Sequence, residues 1–389
     1  MKRETLLQHL GEERHHLGAV TPPIFQTSLF VQPDFDTFRG KLKDPSQSEE
    51  RFVYSRVGNP NLSIVEKKLA MLEGTESALV FASGMAAISA AILHCVRAGD
   101  HIVCIDTAYG PTREFLTNYL PDFGIETTFV AGCDSQEIFD ACTEDTKLVY
   151  LESPSSILFR AQDFRAVSAF ARERGIWTVA DNSNATPLFQ QPHSLGIDIV
   201  VHSATKYLCG HSDVVAGALC ARKDVTTAIE LREGQWFGGR LAPFDAWLML
   251  RGLRTLKLRV DEAQRQGRLL FDFVKGLGLG EVLYSGDPDH PQAGLISQQQ
   301  TGHTSLVTLI PTCQEESAVK QFLESLKVFQ MGVSWGGFES LAVPVFGKPM
   351  DWPDERWMVR FYAGLEDIAD LQLDISAAAH HLAPAVTAN

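Results

Sequence analysis

A chain of 389 residues, 45% hydrophobic and 21% charged, has the composition of a globular enzyme and suits a large domain plus a smaller one. Its formal net charge of -14 argues against nucleic acid or an anionic membrane as a partner, because both attract basic surface. No apolar run reaches transmembrane length, residues 1–16 are too polar for a signal peptide, and the seven cysteines are scattered through apolar segments, which predicts buried free thiols in a cytoplasmic protein.

Residues 1–51 mix Pro22, Pro23, Pro33, Gly40 and Pro45 with polar spacers and show weak periodicity, so 1–55 reads as an arm without a core of its own. Tyr54 and Arg56 close the arm, and Asn59 before Pro60 starts a helix whose Leu62, Val65, Leu69 and Leu72 share one face before Gly74 ends it. A strand at 78–82 passes through Ser83-Gly84-Met85 directly into a helix at 86–97. Free amides and the positive end of the helix dipole make such a turn an anion site, and Gly84 allows close approach, although the same turn is also common as plain structure. Strand 101–105 then leads to Tyr109, which alone reads equally well as a half-buried packing residue. Strands 125–130, 148–151 and 176–180 alternate with helices 135–142 and 164–174, predicting an α/β fold with a mainly parallel, doubly wound sheet over residues 56–245. Strand 216–221 adds to it. Residues 241–277 form a long helical stretch broken at Gly252 that links to a smaller α+β domain, 246–389, with strands at 306–310 and 358–361 and helices at 315–326 and after Glu366.

The densest chemistry lies within the larger domain, at Asp198 to Asp213. The apolar run 199–201 has the length of a buried strand and delivers Ser203, Thr205 and Lys206 onto the turn after it. Ligands of open α/β sheets sit beyond the carboxyl ends of the strands, where a partly desolvated lysine stays nucleophilic toward carbonyls. A solvated surface lysine is the competing account. Upstream, strand 176–180 ends in Asp181, one crossover away from Lys206. A strand-end carboxylate so placed is what pyridoxal phosphate requires, pairing with the ring nitrogen and keeping the electron sink open, while a turn cap is the plainer role for Asp181.

Eight motifs in order, YSRVGNPN (54–61), FASGMAA (81–87), AYG (108–110), ESPSS (152–156), ADNS (180–183), SATKYLCGHSD (203–213), SWGGFES (334–340) and RFYAGLED (360–367), make the chain resemble the Cys/Met-metabolism family of pyridoxal-phosphate enzymes over nearly its whole length. The resemblance implies the type I fold of pyridoxal-phosphate-dependent transferases and a carbon–sulfur lyase acting on a small sulfur-containing amino acid. It implies a homotetramer, a dimer of dimers, in which Tyr54 and Arg56 reach the cofactor phosphate of a neighbouring subunit; a local ion pair of Arg56 with Glu49 or Glu50 is the alternative. It further implies Lys206 as the covalent anchor and base, Tyr109 stacked on the ring and sharing in proton transfer, Gly84, Met85, Ser203 and Thr205 at the cofactor, Asp181 at its ring nitrogen, and Ser156, Ser334 and Arg360 at the substrate, Arg360 on its carboxylate unless it is a surface ion pair with Glu366 or Asp367. SWGGFES is similar to cystathionine β-lyases and YSRVGNPN to γ-acting members. Ser156 and Val333 stand where many γ-acting members carry Asn and Glu, and Pro111 and Asn184 also depart from the pattern. Val333 and Trp335 are expected to wall Ser334 with apolar surface, favouring β-elimination from cystathionine or a related thioether over γ-chemistry.

Rival motifs are weaker. Gly276, Gly278 and Gly280 follow a helix and lack dinucleotide-fingerprint spacing. Gly210-His211-Ser212 begins like a nucleophile elbow of a serine hydrolase, yet Val214 occupies the required glycine position. His15 with His16, or His202 with His211, gives no helical metal-ligand spacing, so no metal is expected.

Overall fold

The computed structural model describes residues 1–13, 15–43 and 52–383. Seven strands form the main sheet: β1 Ser77–Phe81, β2 His101–Ile105, β3 Glu126–Val130, β4 Thr146–Glu152, β5 Trp177–Asp181, β6 Ile199–His202 and β7 Gly217–Ala221, in the order β1-β7-β6-β5-β4-β2-β3. Strands β2 to β6 are parallel, as the alternation of strands and helices predicts. Every residue of β2, β6 and β7 is buried because helices cover both faces, which is why these strands read as continuous apolar runs. Strand β7 runs antiparallel to both β6 and β1. The connection 203–216 carries no crossover helix: the Thr205 amide donates to the Ala216 carbonyl at 3.1 Å and the Ala216 amide to the Thr205 hydroxyl at 2.9 Å, so the chain turns back beside the strand it left.

A smaller sheet contains β8 Gly280–Leu283, β9 Leu306–Pro311, β10 Gln330–Met331, β11 Leu341–Gly347 and β12 Arg356–Tyr362, in the order β10-β11-β12-β9-β8. Sequence patterning finds β9 and β12 but misses the others. β8 and β10 are too short to show a period, and β11 carries Pro344.

The helical stretch breaks at Thr255 and not at Gly252. One helix spans Pro243–Arg254 and the next Leu256–Gly276. Gly252 lies inside the first because a Cβ there would meet the Cys209 carbonyl oxygen at 2.2 Å, so close packing and not helix termination demands the glycine. The second helix serves both cores, with Leu256 and Val260 in that of the large sheet and Leu270, Phe271 and Val274 in that of the small one.

The N-terminal segment is more firmly docked than its composition suggests. Helix α1, Arg3–His9, buries Leu7. The fully buried Lys68 donates to the Leu7 carbonyl at 2.6 Å and pairs with Glu12 at 3.0 Å. Helix α2, Phe35–Lys43, by contrast buries no residue. All seven cysteines are free. No helix of the described residues is long and apolar enough to cross a membrane.

Candidate active site

Two helices pack against β1, and the second of them lines the site. Helix α3, Pro60–Glu73, packs under β1, capped by Asn59 and closed by Gly74 at φ 71°. Helix α4, Gly84–Cys95, follows β1 at once, with the Ser83 hydroxyl accepting from the Ala86 amide at 3.0 Å. Its first turn faces the turn after β6 so closely that a Cβ on Gly84 would lie 2.9 Å from the Ser203 hydroxyl oxygen. This contact joins two segments 119 residues apart in sequence, by subtraction of their numbers, into one cradle.

The cavity above the cradle has a volume of about 200 Å³ and is lined by Gly84, Met85, Tyr109, Asp181, Ser203, Thr205 and Lys206, all expected from the sequence. It is also lined by Glu152, Asn184 and Trp335. The amine of Lys206 bonds the Ser334 hydroxyl at 2.5 Å and lies 4.5 Å from the centre of the Trp335 ring. Burial, aided by the Arg360 charge and opposed by Asp181, lowers its pKa to about 8. A surface lysine would show no such displacement.

Arg360, 7% exposed on β12, and Ser334 do not line the cavity themselves but stand beside Trp335 and Lys206, which do. The Arg360 Nη2 donates to the Ser334 carbonyl at 3.2 Å and its guanidinium lies 4.8 Å from the Trp335 ring centre. Burial pushes its pKa down to about 10. The surface ion pair with Glu366 or Asp367 is not formed: Glu366 accepts from Ser340, and Asp367 caps a helix by accepting from Ala369 at 2.8 Å. Ser334, between the two cations, has φ 99°, a costly conformation for a residue with a side chain.

Asp181 is 5% exposed, and its carboxylate accepts from the Ser183 amide at 2.9 Å. Burial raises its pKa, against the pull of Ser183, His202 and Lys206. Glu152 is a functional candidate that sequence reasoning missed, although it stands at the end of β4 just as Asp181 ends β5. Its two oxygens accept from the amides of Tyr109 at 2.8 Å and Ser156 at 3.0 Å, and burial beside Asp181 raises its pKa to about 8. The same surroundings raise the Tyr109 phenol. Ser156 is buried next to this carboxylate and does not line the cavity itself.

Three expectations fare differently. Val333 is 79% exposed, so the apolar wall consists of Trp335 with Ile88 and Val215 and does not include Val333. Tyr54 and Arg56 lie outside the cavity; Arg56 donates to the Gln235 carbonyl at 2.9 Å, and Glu49 and Glu50 lie outside the described residues. The hydrolase alternative loses its base, because Ser212 donates to Glu339 at 2.6 Å while the His211 ring bonds the Cys209 carbonyl. Among the described residues no three His, Cys, Asp or Glu side chains gather as a metal site would need.

The model of the family described as Cys/Met metabolism PLP-dependent enzyme matches residues 4–380. The chain belongs to this family. It is 36% identical to cystathionine gamma-lyase of Bacillus subtilis over 98% of this chain and 100% of that one. It is equally 36% identical to cystathionine beta-lyase MetC of the same organism, over 94% and 93%. The solved structure of metB from Corynebacterium glutamicum superposes with a TM-score of 0.89 at 30% identity, covering 98% of this chain and 99% of that one. The protein is therefore a pyridoxal-phosphate-dependent enzyme of the lyase family with the type I fold. The residues fit that cofactor. Asp181 is a cavity-lining carboxylate with no ion pair within 4.0 Å among the described residues, ready for a ring cation, and at the start of α4 the Gly84 and Met85 amides have no hydrogen-bond partner among the described residues, which leaves them to a phosphate.

Proposed function

We propose that this enzyme catalyses β-elimination from cystathionine or a related thioether amino acid, releasing a thiol, pyruvate and ammonia. Held by Lys206, the cofactor would supply an electrophilic carbon to which the substrate amine transfers as the lysine amine leaves, and a pyridinium to draw off the electron pair left at Cα. The Lys206 amine would then remove the α-proton, which its lowered pKa suits it to do near neutral pH. Asp181 keeps a proton on the ring nitrogen, Arg360 binds the α-carboxylate through its planar fork, and Ser334 steers the lysine amine. Tyr109, which lines the cavity, would stack on the ring and share in proton transfer. Ser203, Thr205, Gly84 and Met85 hold the phosphate end. The Thr205 hydroxyl already donates to the Ala216 carbonyl at 3.1 Å, so its part is to fix the turn more than to reach the phosphate with its own proton.

One observation carries the choice of β over γ. The wall along which a substrate side chain would lie is made of Trp335, Ile88 and Val215, and its only polar group is the buried indole N–H of Trp335. A γ-reaction removes a second proton, from Cβ, and must steady charge there for longer, which such a wall serves poorly. The cystathionine gamma-lyase and L-methionine gamma-lyase among the 36% identical relatives make γ-elimination the second reading. Products decide: L-cystathionine should give pyruvate with homocysteine, whereas 2-oxobutyrate with cysteine as the main products would reject the β assignment.

The assembly we propose is a dimer of dimers with shared sites. It is supported by the exposure of Tyr54 (46%), whose ring centre lies 5.6 Å from the Arg56 guanidinium, and of Trp236 (71%) and Phe237 (70%), which follow the Gln235 that holds Arg56, apolar surface that a second copy would cover.

A further inference from the structure

The geometry points to Asn184 as a positioning residue for the amino-acid substrate, one that fastens the segment bearing Ser156 to the second sheet across the cavity. The proposal rests on the lyase assignment above and adds a residue to it. Asn184 is 5% exposed and lines the cavity. Both ends of its amide are engaged: Nδ2 donates to the Pro154 carbonyl at 3.2 Å, and Oδ1 accepts from the Thr304 hydroxyl at 2.8 Å. Thr304 is 4% exposed and stands two residues before β9, where the Ser305 hydroxyl donates at 2.7 Å to the carbonyl of Ala363, the residue that follows β12. Strand β12 carries Arg360. A single side chain thus ties the exit of β5 to the segment 153–156 on one side and to the carboxylate-binding strand on the other.

The far end of the same segment is fixed by Glu152, through the Ser156 amide at 3.0 Å, and beyond it the Thr308 hydroxyl of β9 donates to the Ile157 carbonyl at 2.8 Å. The segment is thus tied to the sheet that carries Arg360 at two points, through Thr308 at Ile157 and through Asn184 at Pro154, and losing Asn184 frees its Pro154 end. The amide donates and accepts at once; aspartate keeps the acceptor and loses the donor, and leucine loses both. Neither hydrogen bond of Asn184 involves Gly84, Ser203 or Lys206, so the effect falls on substrate binding and not on cofactor retention.

The test uses the holoenzyme carrying Asn184→Leu, Asn184→Asp, Thr304→Val or the Leu/Val pair, with L-alanine as a probe that has no leaving group at Cβ. Alanine affinity is read from the visible cofactor band, cofactor retention from dialysis, and kcat and KM from L-cystathionine turnover. Leaving buried partners unpaired should weaken alanine binding and raise KM roughly 5- to 50-fold in Asn184→Leu and in Thr304→Val, with cofactor retention unchanged. The double variant should lose less than the product of the two factors, because both cut one tie. Asn184→Asp should bind alanine weakly at pH 8 and recover as the pH falls, since the protonated carboxyl regains the donor for Pro154. Unchanged alanine affinity in a folded, loaded Asn184→Leu, a multiplicative double variant, or pH-indifferent binding in Asn184→Asp would overturn the proposal. Failure of the lyase assignment looks different: wild-type protein would then bind alanine and eliminate nothing from cystathionine.

Discussion

Arg360→Lys separates a substrate-binding guanidinium from a structural one. The side chain is 7% exposed, touches the Ser334 carbonyl at 3.2 Å and the Trp335 face at 4.8 Å, and forms no ion pair among the described residues, so it is a buried cation without its anion. Lysine offers a point charge where arginine offers two parallel donors. Losing one charge-assisted hydrogen bond costs about 1.5–3 kcal/mol, and a weaker contact with the indole adds about 0.5–1 kcal/mol. The sum, about 2–4 kcal/mol, is roughly a 30- to 1000-fold fall in kcat/KM, carried mainly by KM because the carboxylate is bound in ground and transition states alike. The burial that pushes arginine down to about 10 acts on a lysine whose ordinary pKa is lower, so the variant should also lose affinity as pH rises. Initial rates with L-cystathionine from pH 6 to 9, with an L-alanine titration at each pH, measure both effects. A KM within 2-fold of wild type across that range would refute the carboxylate role.

Gly84→Ala should weaken pyridoxal-phosphate affinity roughly 10- to 100-fold, by equilibrium dialysis, because the new Cβ would lie 2.9 Å from the Ser203 hydroxyl and 3.0 Å from its Cα, so the cradle must open; unchanged affinity would place the phosphate elsewhere. Capture of pyridoxal phosphate by the apo-protein, followed by stopped-flow absorbance, should speed up with pH and level off near a midpoint of about 8, because burial depresses the Lys206 ammonium; a midpoint in the ordinary lysine range near 10.5 would contradict the buried amine. By the same shift the folded apo-protein binds fewer protons than the unfolded chain between about 8 and 10.5, so this group's contribution to stability rises with pH across that window. Arg56→Ala and Lys206→Ala subunits, each inactive alone, should regain about a quarter of wild-type activity when mixed, since a two-fold dimer of one of each kind rebuilds one of its two sites and half the dimers are mixed; no recovery would mean that Arg56 does not serve a neighbour.

Much of this enzyme is local enough to be legible in the chain. Strands β2 and β6 announce themselves because a strand covered on both faces must be apolar throughout, and the turn chemistry of Ser83-Gly84-Met85 and of Ser203 to Lys206 follows directly from where those strands stop. Lys206 and Asp181 were legible for the same reason: strand ends of a parallel sheet collect function, and the register pairing Asp181 with Val201 only confirms an adjacency the single crossover already implied. The sequence could not say that β7 reverses, because the direction of a strand depends on the Thr205–Ala216 closure, a contact between side chain and backbone that no periodicity encodes. Nor could it place Gly252 in mid-helix, since the reason lies in the Cys209 carbonyl packed against it. Val333 and Trp335 look alike as apolar neighbours of Ser334, but the chain path, turning through φ 99° at Ser334, leaves one exposed and puts the other between two cations. Glu152 was hidden for a related reason, and Asn184 stood out only as a departure from the family pattern, without partners: each is an ordinary polar residue until folding buries it, and only burial, which makes every unmet hydrogen bond expensive, turns Tyr109, Ser156, Pro154 and Thr304 into the frame of the site.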